Sequence, residues 1–175
     1  MKRILASIFL TSLSLSSLAQ ALEVDMTLIN AAGVAQKIGK VEAADSPYGL
    51  MLTPALNQLP PGAHGFHLHE LPHCGPGESM GMKAAGFAAG GHWDPVKTGR
   101  HEGPYGMGHK GDLPILLVDA DGTARTPVLA PRLTVADLAG HALMIHSGGD
   151  NYSDHPMMGG GGVRIACGEI AEVSL

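Results

Sequence analysis

The run Glu23-Val24-Asp25-Met26-Thr27-Leu28-Ile29 alternates polar and apolar residues, and a period of two predicts a strand with one face buried. Further strands are expected over 37–43 and 49–52, around the turn Asp45-Ser46-Pro47. Residues 65–70 read as another strand, entered through Pro60-Pro61-Gly62. Short apolar runs at 113–118 and 142–146 follow, with Asp121-Gly122 as a turn after the first, and 164–170 closes the sheet. The stretch 134–138 fits a single helical turn. Many short strands between turn signals predict one all-β domain, an antiparallel sandwich or barrel. Two long Gly/Pro-rich segments, 71–112 and 147–163, interrupt the strands. Loops of that length in a compact domain are usually functional or disordered.

Composition sharpens this picture. The chain has 175 residues, room for one ordinary domain, and its 45 % hydrophobic content supports a packed core. Lys2 and Arg3 precede an apolar, Ser-rich run over 4–18 and the small-x-small triplet Ala19-Gln20-Ala21, the form of a cleaved export signal. Residues 1–21 are therefore expected to be removed, leaving a domain over 22–175 that is exported to the periplasm without a membrane anchor. The signal carries two of the eleven cations and none of the sixteen acids, so the mature chain is net −7. A surface of that sign excludes general nucleic-acid binding. Export also changes what Cys74 and Cys167 mean, because an oxidising compartment lets them join, with free thiols or metal ligation as the alternatives.

Ten histidines stand in a chain with only 15 % charged residues. His67 and His69 are two apart in Gly65-Phe66-His67-Leu68-His69-Glu70. On a strand they share one face, about 7 Å apart, while Phe66 and Leu68 take the other. His92, His101, His109 and Asp112 form a second group, three imidazoles and a carboxylate, which is a closed tetrahedral donor set suited to zinc. His146 ends the apolar run at 142–146 and offers a further ligand. His64 and His141 read as structural or surface residues, while His73 and His155 are loop residues with no spacing partner.

In order and spacing, these residues resemble the copper/zinc superoxide dismutases, in their bacterial branch. The motifs that carry the resemblance are Gly65-Phe66-His67-Leu68-His69-Glu70, Gly90-Gly91-His92-Trp93-Asp94-Pro95, Gly99-Arg100-His101-Glu102-Gly103-Pro104 and Gly108-His109-Lys110-Gly111-Asp112-Leu113-Pro114. His146-Ser147-Gly148-Gly149-Asp150-Asn151 and Gly161-Gly162-Val163-Arg164-Ile165-Ala166-Cys167-Gly168 complete them, so nearly all of the mature chain is covered. The resemblance implies a Greek-key β-sandwich or flattened barrel with two functional loops. It implies one copper per subunit on His67, His69, His92 and His146, and one zinc on His92, His101, His109 and Asp112, with His92 bridging. It also implies a Cys74–Cys167 disulfide, an Asp150 that links a copper His to a zinc His, and an Arg164 beside the copper. The implied substrate is the superoxide anion, with His92 and Arg164 catalytic. Lys83 is a second expected cation for steering, and Trp93 a contact for a homodimer.

Two other classes use the same residue types. A non-enzymatic exported protein for copper or zinc storage or delivery would keep the histidines but has no use for Arg164 and Asp150. A zinc hydrolase would leave one zinc position open to water, whereas Asp112 fills it, and no Glu base stands at a hydrolase spacing.

Overall fold

The computed structural model describes residues 21–172, so the expected export signal lies outside the described residues except for Ala21. Among those residues no helix is long and apolar enough to cross a membrane.

Three strands, β1 (Leu22–Asn30), β2 (Gly33–Ser46) and β3 (Gly49–Leu56), run as an antiparallel meander. The alternation read over 23–29 holds for Val24 and Met26, buried between exposed Glu23 and Asp25, and then breaks at a bulge after Met26, so that Ile29 rather than Leu28 is buried. In β3 Leu50, Leu52, Pro54 and Leu56 are buried between exposed or half-buried neighbours. After β4 (Gly62–His64) and β5 (Phe66–His69), the first long loop contains a hairpin, β6 (Gly77–Ser79) with β7 (Met82–Ala84), and a 3₁₀ turn at Phe87–Ala89. β8 (Leu116–Val118), β9 (Val128–Ala130), β10 (Ala142–His146) and β11 (Arg164–Glu169) follow. The expected helical turn is a 3₁₀ segment, Val135–Leu138, capped reciprocally by Thr134 and Asp137.

The seven-stranded sheet has the order β5-β10-β11-β1-β2-β3-β9, and β4 pairs separately with β8. The late strands β10 and β11 thus insert between β5 and β1, which gives the curled, Greek-key antiparallel architecture expected from the resemblance. The main core fills the inside of the curl with Met26, Ile38, Leu50, Leu52, Phe66, Leu68, Leu143 and Ile145 among others. Each such side chain contributes about 1.5–3 kcal/mol by leaving water.

Only the end of the expected strand 113–118 is a strand. Asp112 instead bridges to His67, and the Leu113 and Ile115 N–H groups donate to the Phe66 carbonyl and the Tyr152 hydroxyl. Those partners hold the segment as a connection between loops. The strands β4, β6, β7 and β9 are three residues each, too short to carry a readable period.

β5 and β10 are buried on both faces, which an antiparallel sheet with one solvated side would not require. The long loop between β5 and β8 covers their outer face. There Ala142 and Met144 meet Ile29, Ala89, Cys74 and Cys167 in a second apolar cluster. Within that cluster Cys74 and Cys167 form the expected disulfide and tie the loop to β11.

Candidate metal centre

The alternation in β5 delivers Phe66 and Leu68 to the core and leaves His67 and His69 on the face beneath the loop. β10 lies alongside in the register Met144↔His67 and Ala142↔His69, so His146, at its end, closes on the same place. His92 arrives from the loop through a bridge to His69, fixed by Trp93 N–H donating to Leu68 O and Glu70 N–H to Gly91 O. The Glu70 carboxylate accepts from Gly91 N–H as well. Donor atoms from His67, His69, His92 and His146 lie within 4.8 Å of one another, and all four residues are buried.

Donor atoms from His67, His92, His101 and Asp112 converge within 4.8 Å in the same way. In this second set His67 takes the place expected for His109. His109 approaches from the other side, with its Nδ1 3.4 Å from Asp112 Oδ1. That carboxylate oxygen also lies 3.0 Å from Nδ1 of both His92 and His101, so three ring nitrogens surround it. Asp112 Oδ2 is held by N–H donors of Glu102 and Gly103.

Asp150 joins the two groups. Its Oδ2 accepts from His67 Nε2 and its Oδ1 from His101 Nε2, each at 2.8 Å. Since a carboxylate only accepts, both rings carry a proton on Nε2 and turn Nδ1 inward. Those two atoms and His109 Nδ1 are buried and have no hydrogen-bond partner. Unpartnered nitrogens at the focus of six imidazoles and the Asp112 carboxylate fit metal ions.

The charges agree with that fit. Burial, reinforced by the neighbouring His92, holds His67 and His69 well below the usual imidazole range, so both are neutral ligands at neutral pH. Burial lowers His92 too, despite Asp112, and takes His146 down to about 3. Burial pushes Asp112 upward, but the imidazoles of His101, His109 and His92 gathered around it outweigh that and hold the carboxyl far below its usual range. Asp150 is likewise lowered, as contacts from His101 and His67 overcome burial. His101, buried but facing both acids, is pushed up to about 9.

Arg164 pairs with His146 across the β10–β11 ladder. Its two terminal nitrogens donate to Gly86 O and Gly90 O at 2.7 Å, and its guanidinium lies 4.2 Å over the Phe87 ring. Gly90 O accepts from His69 Nδ1 as well, so the cation and a site histidine share one carbonyl. Lys83 stands exposed on the hairpin with Glu78 opposite, a position that offsets its charge. Trp93 is half-buried against the core, with Lys110 Nζ 4.8 Å from its ring and His141 at 4.6 Å. His64 is buried between the carbonyls of His146 and Pro60, a structural role as expected.

Several supporting residues escape sequence reasoning. Asp154 accepts from His101 N–H, Tyr152 receives Ile115 N–H, and Arg132 donates to four carbonyls of the loop between His101 and His109. Nothing in their local sequence marks them, because their partners lie 23 to 53 residues away.

The description copper/zinc superoxide dismutase (SODC) belongs to the family model that matches residues 37–170. The Cu-Zn superoxide dismutase of Pasteurella multocida is 53 % identical over 154 residues, 86 % of this chain and 83 % of its own. The solved Cu/Zn superoxide dismutase from Brucella abortus is 46 % identical at a TM-score of 0.84, covering 86 % of this chain and 99 % of its own. The solution structure of the monomeric copper, zinc enzyme from Salmonella enterica is 53 % identical at 0.78, with the same two coverages.

Proposed function

The chain belongs to the copper/zinc superoxide dismutase family, and from that premise we propose that His67, His69, His92 and His146 hold copper while His92, His101, His109 and Asp112 hold zinc. The protein is an oxidoreductase that converts two superoxide anions and two protons into O₂ and H₂O₂. When bound, copper supplies the one-electron couple and zinc a fixed divalent charge.

This chain's own residues do the rest. Arg164 draws the anion toward His146 and His69, and its guanidinium is held ready by two carbonyls and the Phe87 face. His92 faces Asp112 through Nδ1, which leaves Nε2 toward the other histidines, and that atom would carry a proton for the product peroxide only while no metal holds it. Asp150 fixes the tautomers of His67 and His101. The loop above β5 and β10 keeps bulk water out.

The pair of buried, unpartnered Nδ1 atoms on His67 and His101, oriented by one carboxylate, carries this assignment. The test is superoxide decay by the mature protein loaded with both metals, against metal-free protein at equal concentration. Copper-dependent decay near the diffusional range, about 10⁸–10⁹ M⁻¹s⁻¹, is expected. Decay no faster than the metal-free control, with both ions bound, would overturn it in favour of a metal carrier.

Residues 1–21 act in this reading as a cleaved export signal, the mature domain begins at 22 with β1, and the protein works in the periplasm without a membrane anchor. N-terminal sequencing of secreted material checks the cleavage point. A homodimer through Trp93 would have to use the indole edge left beside Lys110 and His141. Sedimentation of the mature chain tests it, and a single species of monomer mass would end it.

A further inference from the structure

The segment between His101 and His109 is a closed ring of backbone. His109 N–H donates to Arg100 O at 2.9 Å and shuts it. Gly103 lies at φ +70, and a Cβ on Gly108 would stand 2.2 Å from Arg100 O, so the ring has no slack there. Four of its carbonyls, those of Gly103, Pro104, Gly108 and His109, turn toward one point. Carbonyl dipoles converging in this way repel unless a donor or a cation sits among them.

The Arg132 guanidinium sits there. Its Nε donates to Pro104 O, Nη1 to Gly108 O and Nη2 to Gly103 O, each at 3.0 Å, and Nη2 also reaches His109 O. A planar group with five N–H donors in a fixed fork can make these bonds together, whereas a lysine ammonium has three donors and no fork. Arg132 is itself anchored. It follows β9, which is paired to β3 in the large sheet, and the adjacent Leu133 is buried in the core. The ring that carries His101 and His109 at its two ends is thereby pinned to the large sheet and its core.

We propose that Arg132 is a positioning residue for zinc, holding the His101–His109 ring in its ligating shape before the metal arrives. This rests on the zinc assignment above. Arg132 touches neither metal nor substrate and acts only through the two histidines. Outer partners that orient ligands typically change metal affinity 10- to 100-fold, and a plug that sets two ligands at once belongs in that range.

The experiment uses the full mature protein with its disulfide intact. Zinc affinity is read by competition with a chromophoric chelator, and ligand geometry by the visible spectrum of Co²⁺ in the zinc position. Arg132→Gln is expected to weaken zinc about 10- to 100-fold and to alter the Co²⁺ bands, and Arg132→Lys to fall between it and the parent. Arg125→Gln, which removes an exposed cation elsewhere, should leave both readouts unchanged. Parental zinc affinity and Co²⁺ spectrum in Arg132→Gln, even with a lower melting temperature, would overturn the proposal. Should that variant not fold, Arg132→Lys decides alone by the same criterion. If His109→Ala binds zinc as tightly as the parent, the zinc assignment itself has failed, and the role of Arg132 fails with it.

Discussion

His67 and His101 are hydrogen-bonded, each at 2.8 Å, to the two different oxygens of Asp150, so one carboxylate orients two rings of the histidine cluster. The link crosses between β5 and the first long loop from a position in the second long loop, and all three side chains are fully buried.

Replacing Asp150 with Asn tests that link. The amide keeps the shape but offers one acceptor instead of two, so one ring loses its fixed tautomer. Affinity is expected to drop about 10- to 100-fold for at least one metal. Competition titrations run separately for copper and zinc would show which; two unchanged affinities would remove Asp150 from the site.

Arg164→Ala is expected to slow superoxide decay by about tenfold and to flatten its dependence on ionic strength, since the steering charge is gone. Arg164→Lys should recover part of the rate. Copper content should stay that of the parent in both, because the guanidinium bonds to carbonyls rather than to ring nitrogens. Stopped-flow rates over a salt series make the measurement.

The disulfide closes a segment with a sequence separation of 93. Replacing Cys74 and Cys167 together by Ser should lower unfolding free energy by about 2–5 kcal/mol, read from denaturant midpoints. The Ser pair should also lower the superoxide rate, since it frees the loop whose Gly86 and Gly90 carbonyls hold Arg164.

The metal-free protein should lose stability in acid. His67, His69, His92 and His146 have pKa values lowered in the fold, the last to about 3. Below about 6.5 the unfolded chain binds protons that these folded rings refuse, so stability falls with pH from there downward. His101, raised to about 9, acts the other way and loses its contribution between about 6.5 and 9. Four rings outweigh one, and melting temperatures of metal-free protein should drop from pH 7 to pH 5. A flat profile over that interval would contradict the burial of these rings as neutral groups.

In β1, β3 and β5 core residues fall on alternate positions and made the strands legible in the sequence, whereas β10 was legible as a continuous apolar run that the fold buries on both faces. The convergence of His67, His69, His92 and His146 was legible through spacing and resemblance together. That His67 rather than His109 falls within reach of His92, His101 and Asp112 was not, since it depends on how close β5 comes to the first long loop. Gly159 shows a limit of the same kind. A Cβ there would stand 1.9 Å from Asp150 Oδ1, yet its Gly-rich surroundings make it look like any other turn glycine. Arg132 and Asp154 are invisible for a related reason, since a side chain that satisfies distant backbone leaves no local pattern.

In β5 the residues that anchor the core and those that face the metals alternate along only four positions. A slip of one residue would drive two imidazoles into the hydrocarbon interior and set Phe66 and Leu68 where the ions belong. Correct registration of that strand is therefore a condition for the histidine cluster, because a chain that has misassembled its interior would have no place for copper. By the same logic Leu68, which contacts no ion, controls the metal site as firmly as the ligands on either side of it.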